Sequence, residues 1–68
     1  MSYEASFKTP DNAQAVYQRM KGYYKKRDPA LATQIKLNGK TITGPDETLE
    51  ALLWNADDVG ARFKQKTI

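Results

Sequence analysis

The sequence predicts a small α+β protein that forms a single domain over residues 1–68. Three observations predict it: strict alternation of apolar and polar residues near the N-terminus, two stretches with helical periodicity, and an Asn38-Gly39 pair between β-branched residues. We expect the order strand, helix, strand, strand, helix. A two-stranded hairpin is only marginally stable in water, so two helices should cover one face of a two- or three-stranded antiparallel sheet.

Residues 1–8 have the pattern of a β-strand. Tyr3, Ala5 and Phe7 fall on one side of an extended chain, and polar residues fall on the other. We expect this strand to pair with one edge of the hairpin and to add a third strand to the sheet. The alternative interpretation is a frayed terminus, which is common at chain ends.

Residues 9–26 have the pattern of an amphipathic helix. Thr9 is a capping residue and Pro10 suits the first helical position. The apolar residues fall in one arc of the helix: Ala13, Val16, Tyr17, Met20, Tyr23 and Tyr24. We expect the helix to end near residue 26, because the residue before a proline disfavours helical geometry. The Asp28-Pro29 pair is also able to cap a short helical turn before the hairpin.

Residues 34–43 predict a β-hairpin. Asn38-Gly39 is typical of the two central positions of a type I′ turn, which both require a positive φ. A two-residue loop at these positions pairs Leu37 with Lys40. The same register places the apolar residues of both strands on one face, which the helices should cover.

Residues 45–65 predict a second helix. Proline and acidic residues stand at its start, as they do in many first turns. Its apolar stripe contains Leu49, Leu52, Leu53, Ala56, Val59, Gly60 and Phe63. Asp58 and Arg62 are four residues apart and are expected to pair on the helix surface.

Trp54 is a candidate anchor for a protein partner. On a continuous helix it lies outside the apolar stripe and faces solvent, and exposed tryptophans are enriched at interface centres. Tyr3 and Phe7 of the first strand are expected to extend this surface. The alternative is a helix broken near Asn55, which would let Trp54 fold back onto the core.

The segment from Arg19 to Arg27 is a candidate nucleic-acid surface. It reads RMKGYYKKR, with five basic residues, two tyrosines and no acid, and basic residues interleaved with aromatic ones are typical of such surfaces. The predicted phosphate contacts are Arg19, Lys21, Lys25, Lys26 and Arg27, joined by Lys36 of the hairpin. The alternative is a solvated helix face, whose basic last turn favours the helix dipole.

The composition argues against most catalytic chemistry. The chain has no histidine and no cysteine, and its four glycines form no phosphate-binding loop. We therefore predict no catalytic residue, no metal site and no cofactor, and interpret the acidic pairs as helix-start and solvated residues. No stretch is long and apolar enough for a membrane span or a signal peptide, so we expect a soluble, cytoplasmic protein that does not bind a membrane.

Since the composition argues against catalysis, we expect the protein to act by binding another macromolecule. The first hypothesis is nucleic-acid association, which the pI of about 9.3 favours weakly. The second is a protein-binding adaptor or inhibitor that uses Trp54. In its order of helix, hairpin and helix, and in its length, the chain resembles the small head-tail joining proteins of tailed phages. That resemblance of architecture implies an assembly component. Independently of it, the surface around Trp54 is a candidate for self-association into a homo-oligomer.

Overall fold

The computed structural model describes residues 1–67 and shows a small α+β domain with an antiparallel sheet. Its elements are β1 (Ser2–Phe7), α1 (Pro10–Arg27), α2 (Pro29–Gln34), β2 (Lys36–Asn38), β3 (Thr41–Pro45), a 3₁₀ turn (Asp46–Thr48), α3 (Leu49–Asp58) and β4 (Phe63–Thr67). The fold class is confirmed. The predicted element order is found up to α3, with one addition: the short helix α2, whose first turn Asp28 caps by accepting from the Leu31 amide. The sequence did not predict β4.

The four strands lie in the order β2-β3-β1-β4, and every neighbouring pair is antiparallel. Element order and strand order together are those of the ferredoxin-like split β-α-β arrangement. Helix α1 packs on β1, β2 and β3, and α3 packs beside α1. Such a topology serves many functions, so function has to be argued from surfaces rather than from the fold.

The N-terminal strand and the first helix match their predicted patterns. Residues 1–8 contain β1, which pairs with β3 on one side and β4 on the other. Thr9 caps α1 by accepting a hydrogen bond from the Asn12 amide at 3.2 Å. The buried residues of α1 are Ala13, Val16, Met20 and Tyr24, whereas Tyr23, which the arc predicted to be buried, is 38% exposed.

The hairpin forms, but its predicted register is wrong. Leu37 pairs with Ile42 instead of Lys40. Gly39 has a φ of 61°, and no non-glycine residue among residues 1–67 has a positive φ. Because only the first central residue of the turn has a positive φ, the turn fits type II′ rather than type I′. The shift moves each partner by two positions, and therefore the apolar residues keep the face predicted for them.

The second helix is shorter than predicted, because it ends at a glycine. Gly60 has a φ of 68°, its amide donates to the Asp57 carbonyl, and the Ala61 amide donates to the Ala56 carbonyl at 2.8 Å. These two bonds form a Schellman motif, which ends a helix. The chain then enters β4, so Phe63 belongs to the sheet and not to the helical stripe. The helix is not broken near Asn55.

A buried hydrogen bond joins β1 to the start of α3. Tyr3 and Thr48 are both fully buried, and their hydroxyl oxygens are 2.9 Å apart. The single hydroxyl hydrogen of Thr48 is donated to the Pro45 carbonyl at 2.8 Å, and therefore Tyr3 is the donor to Thr48. Gly44 lies opposite Tyr3, and a Cβ there would come within 3.0 Å of both hydroxyl oxygens. Glycine at this position leaves room for the bond.

Substitution of Tyr3 and substitution of Thr48 should both lower the free energy of unfolding, but by different amounts. Tyr3→Phe removes one hydrogen bond, and we expect a loss of about 1 kcal/mol. Thr48→Val also leaves the buried Tyr3 hydroxyl without an acceptor, and we expect a loss of about 1–3 kcal/mol. Urea denaturation followed by circular dichroism measures both. A larger loss from Tyr3→Phe than from Thr48→Val would contradict this arrangement.

The same tyrosine should make stability fall at alkaline pH. Burial raises the pKa of Tyr3 above its ordinary value of 10.0. Above about pH 10 the unfolded chain therefore loses this proton before the folded protein does, and stability decreases as the pH rises. Between about pH 9 and pH 11, wild type should lose more unfolding free energy than Tyr3→Phe. Equal losses would show that Tyr3 does not titrate differently in the two states.

Candidate functional site

Helix α3 carries an exposed pair of large apolar side chains. Leu52 and Ala56 are buried, whereas Leu53 is 47% exposed and Trp54 is 56% exposed. The sequence placed Leu53 in the core stripe and Trp54 outside it; the structure confirms the exposure of Trp54. The core contacts the other face of α3, through Leu52 and Ala56. Leu53 and Trp54 are therefore available for contacts with another molecule.

Two carboxylates flank the apolar pair. Glu50 precedes Leu53 and Trp54 by three and four residues, and Asp57 follows them by four and three, so these side chains are neighbours on the helix surface. Both acidic residues are exposed. We call Glu50, Leu53, Trp54 and Asp57 the α3 surface. Five of the eight acidic residues lie between residues 41 and 61, which contain no lysine or arginine. The α3 surface is therefore negative in a chain whose net charge is +3.

Arg19 of α1 binds α3 along one flank of the α3 surface, since Asp58 follows Trp54 by four residues. Its Nε donates to Asn55 Oδ1 at 3.1 Å, and its Nη2 donates to Asp58 Oδ2 at 3.1 Å. Both members of the ion pair are about half exposed, so it contributes about 0.2–1 kcal/mol at most. The predicted pairing of Asp58 with Arg62 is wrong, because α3 ends between them. Arg19 helps to orient α3 and leaves Glu50 and Asp57 unpaired among residues 1–67.

Tyr3 and Phe7 do not extend this surface. Tyr3 is fully buried and Phe7 is 4% exposed, because both lie on the side of β1 that the helices cover. That part of the predicted protein-binding site is wrong. The alternation that predicted β1 already placed both residues on its apolar face, and the sheet has its core on that face.

The predicted nucleic-acid residues lie on several surfaces. Arg19 is engaged with α3, as described above. Lys36 lies on β2 next to Leu37, and since neighbours on a strand point to opposite faces, it lies on the sheet face away from the helices. The structure therefore does not bring Arg19 or Lys36 together with the basic end of α1.

The remaining basic residues of α1 lie on different sides of the helix. Lys21 and Lys25 line a groove between α1 and α2. The Lys21 ammonium lies 5.6 Å from the ring centroid of Tyr17, and the Arg27 guanidinium lies 4.4 Å from that of Tyr23. Lys26 is exposed on the same last turns of the helix. Lys21 and Lys25 thus lie towards α2, whereas Arg27 and Tyr23 form a separate basic and aromatic pair at the end of α1, next to Lys26.

Of the four residues of the α3 surface, the sequence predicted only Trp54 as a binding residue; Glu50, Leu53 and Asp57 were not predicted. One feature of the sequence does indicate them: residues 41–61 surround the only tryptophan and contain five acidic residues but no lysine or arginine. Exposure of Leu53 is harder to find, because a leucine beside a core stripe is usually counted with the core. Its exposure depends on how α3 is rotated against α1.

Comparisons with family models, with curated proteins and with solved structures found no match. The resemblance to phage head-tail joining proteins thus remains one of element order, and it does not include β4. Among residues 1–67, none of the helices combines the length and the apolar character that crossing a bilayer requires.

Proposed function

We propose that this protein is a protein-binding module whose α3 surface docks on a basic protein partner. The observation that carries the proposal is the exposure of Trp54 beside Leu53, on a helix face that the core does not use. Tryptophan is among the residues most enriched at the energetic centres of interfaces, since it buries a large rigid surface. Burial of this pair by a partner would remove apolar area from water.

The charges around Trp54 define the chemistry of the partner. Glu50 and Asp57 would meet lysine or arginine residues at the rim of an apolar pocket, and such complementarity raises association rates and excludes wrong partners. A symmetric contact between two copies of the α3 surface would bring like charges together. A different, basic protein is therefore the better occupant of this surface.

Replacement of Trp54 should abolish most of the binding without unfolding the protein. We expect a displayed library of random peptides, selected on the wild-type protein, to yield apolar peptides that carry lysine or arginine. Trp54→Ala should weaken their binding about 30-fold or more, because loss of an interface anchor amounts to about 2 kcal/mol or more. Its free energy of unfolding should change by less than about 0.5 kcal/mol, since the residue is exposed.

Tyr23→Ala is the matched control, since it removes an exposed aromatic residue from α1. It should leave peptide binding unchanged. The charge variant Glu50→Lys/Asp57→Lys should weaken binding most at low salt, where surface charges are screened least. Selected peptides that are acidic, or that bind Trp54→Ala as tightly as wild type, would overturn the proposal.

A second candidate function is nucleic-acid binding by the basic end of α1. The observation that favours it is the placement of Arg27 over the partly exposed ring of Tyr23, next to Lys26. Cationic and aromatic side chains on one exposed surface can hold phosphates and stack bases. Arg19 and Lys36 are not part of this surface.

If nucleic acid binds at the basic end of α1, neutralisation of the basic residues there should weaken the binding. We expect Lys26→Gln/Arg27→Gln to lower the affinity for a fluorescent single-stranded oligonucleotide. The slope of log affinity against log salt should become shallower by about 0.7 for each phosphate that the variant no longer neutralises. Fluorescence anisotropy at several salt concentrations measures both. An unchanged slope would exclude α1 as the binding surface.

A further inference from the structure

One face of the sheet lies away from the helices. Strand pairing places two rows of four residues across it, because residues directly opposite one another on neighbouring strands point to the same side. In the strand order β2-β3-β1-β4, the rows are Lys36, Thr43, Glu4 and Lys66, and Asn38, Thr41, Ser6 and Lys64. All eight residues are exposed or half-buried, whereas Tyr3, Ala5 and Ile42 on the other face are fully buried. We call these eight residues the open face.

Basic residues lie on both edges of the open face. Lys36 is on the edge strand β2, and Lys64 and Lys66 are on the edge strand β4. Neighbouring strands are about 4.8 Å apart, so the two basic edges are separated by about 14 Å. Lys8 follows β1 directly and Arg62 precedes β4 directly, which brings two more basic residues to one end of the face. The edges of the open face are therefore positive.

The centre of the open face is polar. Ser6, Thr41 and Thr43 have short hydroxyl side chains, and hydroxyls donate hydrogen bonds to phosphate oxygens. Glu4 is the one acidic residue of the face; it lies opposite Lys66 but forms no salt bridge with it. With three lysines and one glutamate, the open face has a net positive charge and hydrogen-bond donors between its basic edges.

We propose that the open face binds double-stranded nucleic acid through the phosphates, with the lysines of both edges in contact with the two backbones. The eight residues include no aromatic and no large apolar side chain. Such side chains form the energetic centres of protein interfaces, so this face does not suit a protein partner. Phosphate binding does not need them, because contacts with lysine and the release of counterions provide the affinity.

A duplex fits this face better than a single strand. Single-strand sites gain affinity from aromatic side chains on which bases stack, and the open face has none. A duplex carries one charge per about 1.7 Å of its axis, which is twice the density of one strand. The major groove is about 12 Å wide, so basic edges about 14 Å apart match the phosphates on its two sides. Sequence preference should be weak, since phosphate contacts do not read bases.

This inference does not rest on the α3 surface, whose negative charge would repel the same ligand. It also differs from the candidate site at the basic end of α1, which lies on the helix side of the sheet and combines Arg27 with an aromatic ring. Variants that change charge equally at the two places separate them, because a long-range effect of net charge would be the same for both.

The test uses the full chain, with a short fluorescent DNA duplex and one of its strands as probes. Wild type should bind the duplex about threefold or more tightly than the strand, because of its charge density. Lys64→Gln/Lys66→Gln should weaken duplex binding about tenfold or more at low salt. The slope of log affinity against log salt should become shallower by about 1.8, since about 0.9 is lost for each phosphate. Fluorescence anisotropy measures both, and circular dichroism checks that each variant folds.

The matched control for charge is Lys26→Gln/Arg27→Gln, which removes two positive charges from α1 and should weaken duplex binding much less. Glu4→Gln gives a test of opposite sign: it removes the negative charge of the face and should tighten duplex binding about threefold. Glu50→Gln makes the same charge change on α3 and should have a much smaller effect.

Three results would overturn the proposal. Equal losses from the two double variants, or a larger loss from the α1 pair, would contradict binding at the open face. Equal effects of Glu4→Gln and Glu50→Gln would contradict it as well, because they would reveal a response to net charge alone. Tighter binding of the single strand than of the duplex by wild type would contradict the choice of ligand.

Discussion

The hydrogen bond from Tyr3 to Thr48 connects the parts of this fold that local sequence does not connect. It joins the first strand to the 3₁₀ turn before α3, across the space that Gly44 leaves open. A buried hydroxyl without a partner is strongly unfavourable, so this bond disfavours other placements of the turn. This contact fixes the residue before α3. The direction in which Trp54 projects from α3 therefore depends on it as well.

Charge is distributed unevenly over the folded chain. The acidic residues concentrate at and within α3, whereas α1 and the sheet edges carry most of the lysines and arginines. The α3 surface and the basic end of α1 therefore attract ligands of opposite charge.

Local patterns predicted the elements whose signal lies within a few residues. Alternation in residues 1–8 predicted β1, and the Thr9-Pro10 cap located the start of α1 to within one residue. Asn38-Gly39 located the hairpin, but the two loop residues are Gly39 and Lys40, so the register differs by two positions from the one predicted. Two turn types with different registers suit this sequence, and the motif alone does not choose between them.

The end of α3 and the presence of β4 were not predicted either, because local patterns do not determine them. Gly60 fits the helical stripe of α3 by spacing, yet its positive φ ends the helix, and β4 has only Phe63 as an apolar residue to reveal it. Among the site residues, exposure of Trp54 followed from helical periodicity. The pairing of β1 with β4 could not be predicted, because the two segments lie far apart in the sequence.

The most direct test of the central claim, an exposed Trp54 in an acidic setting, is ionic quenching of its fluorescence. Trp54 is the only tryptophan, so the signal has one source. Relative to free tryptophan amide, caesium ions should quench Trp54 more efficiently than iodide, because Glu50 and Asp57 attract cations and repel anions. The difference should shrink at high salt. Poor quenching by both ions, or stronger quenching by iodide, would contradict the account of the α3 surface.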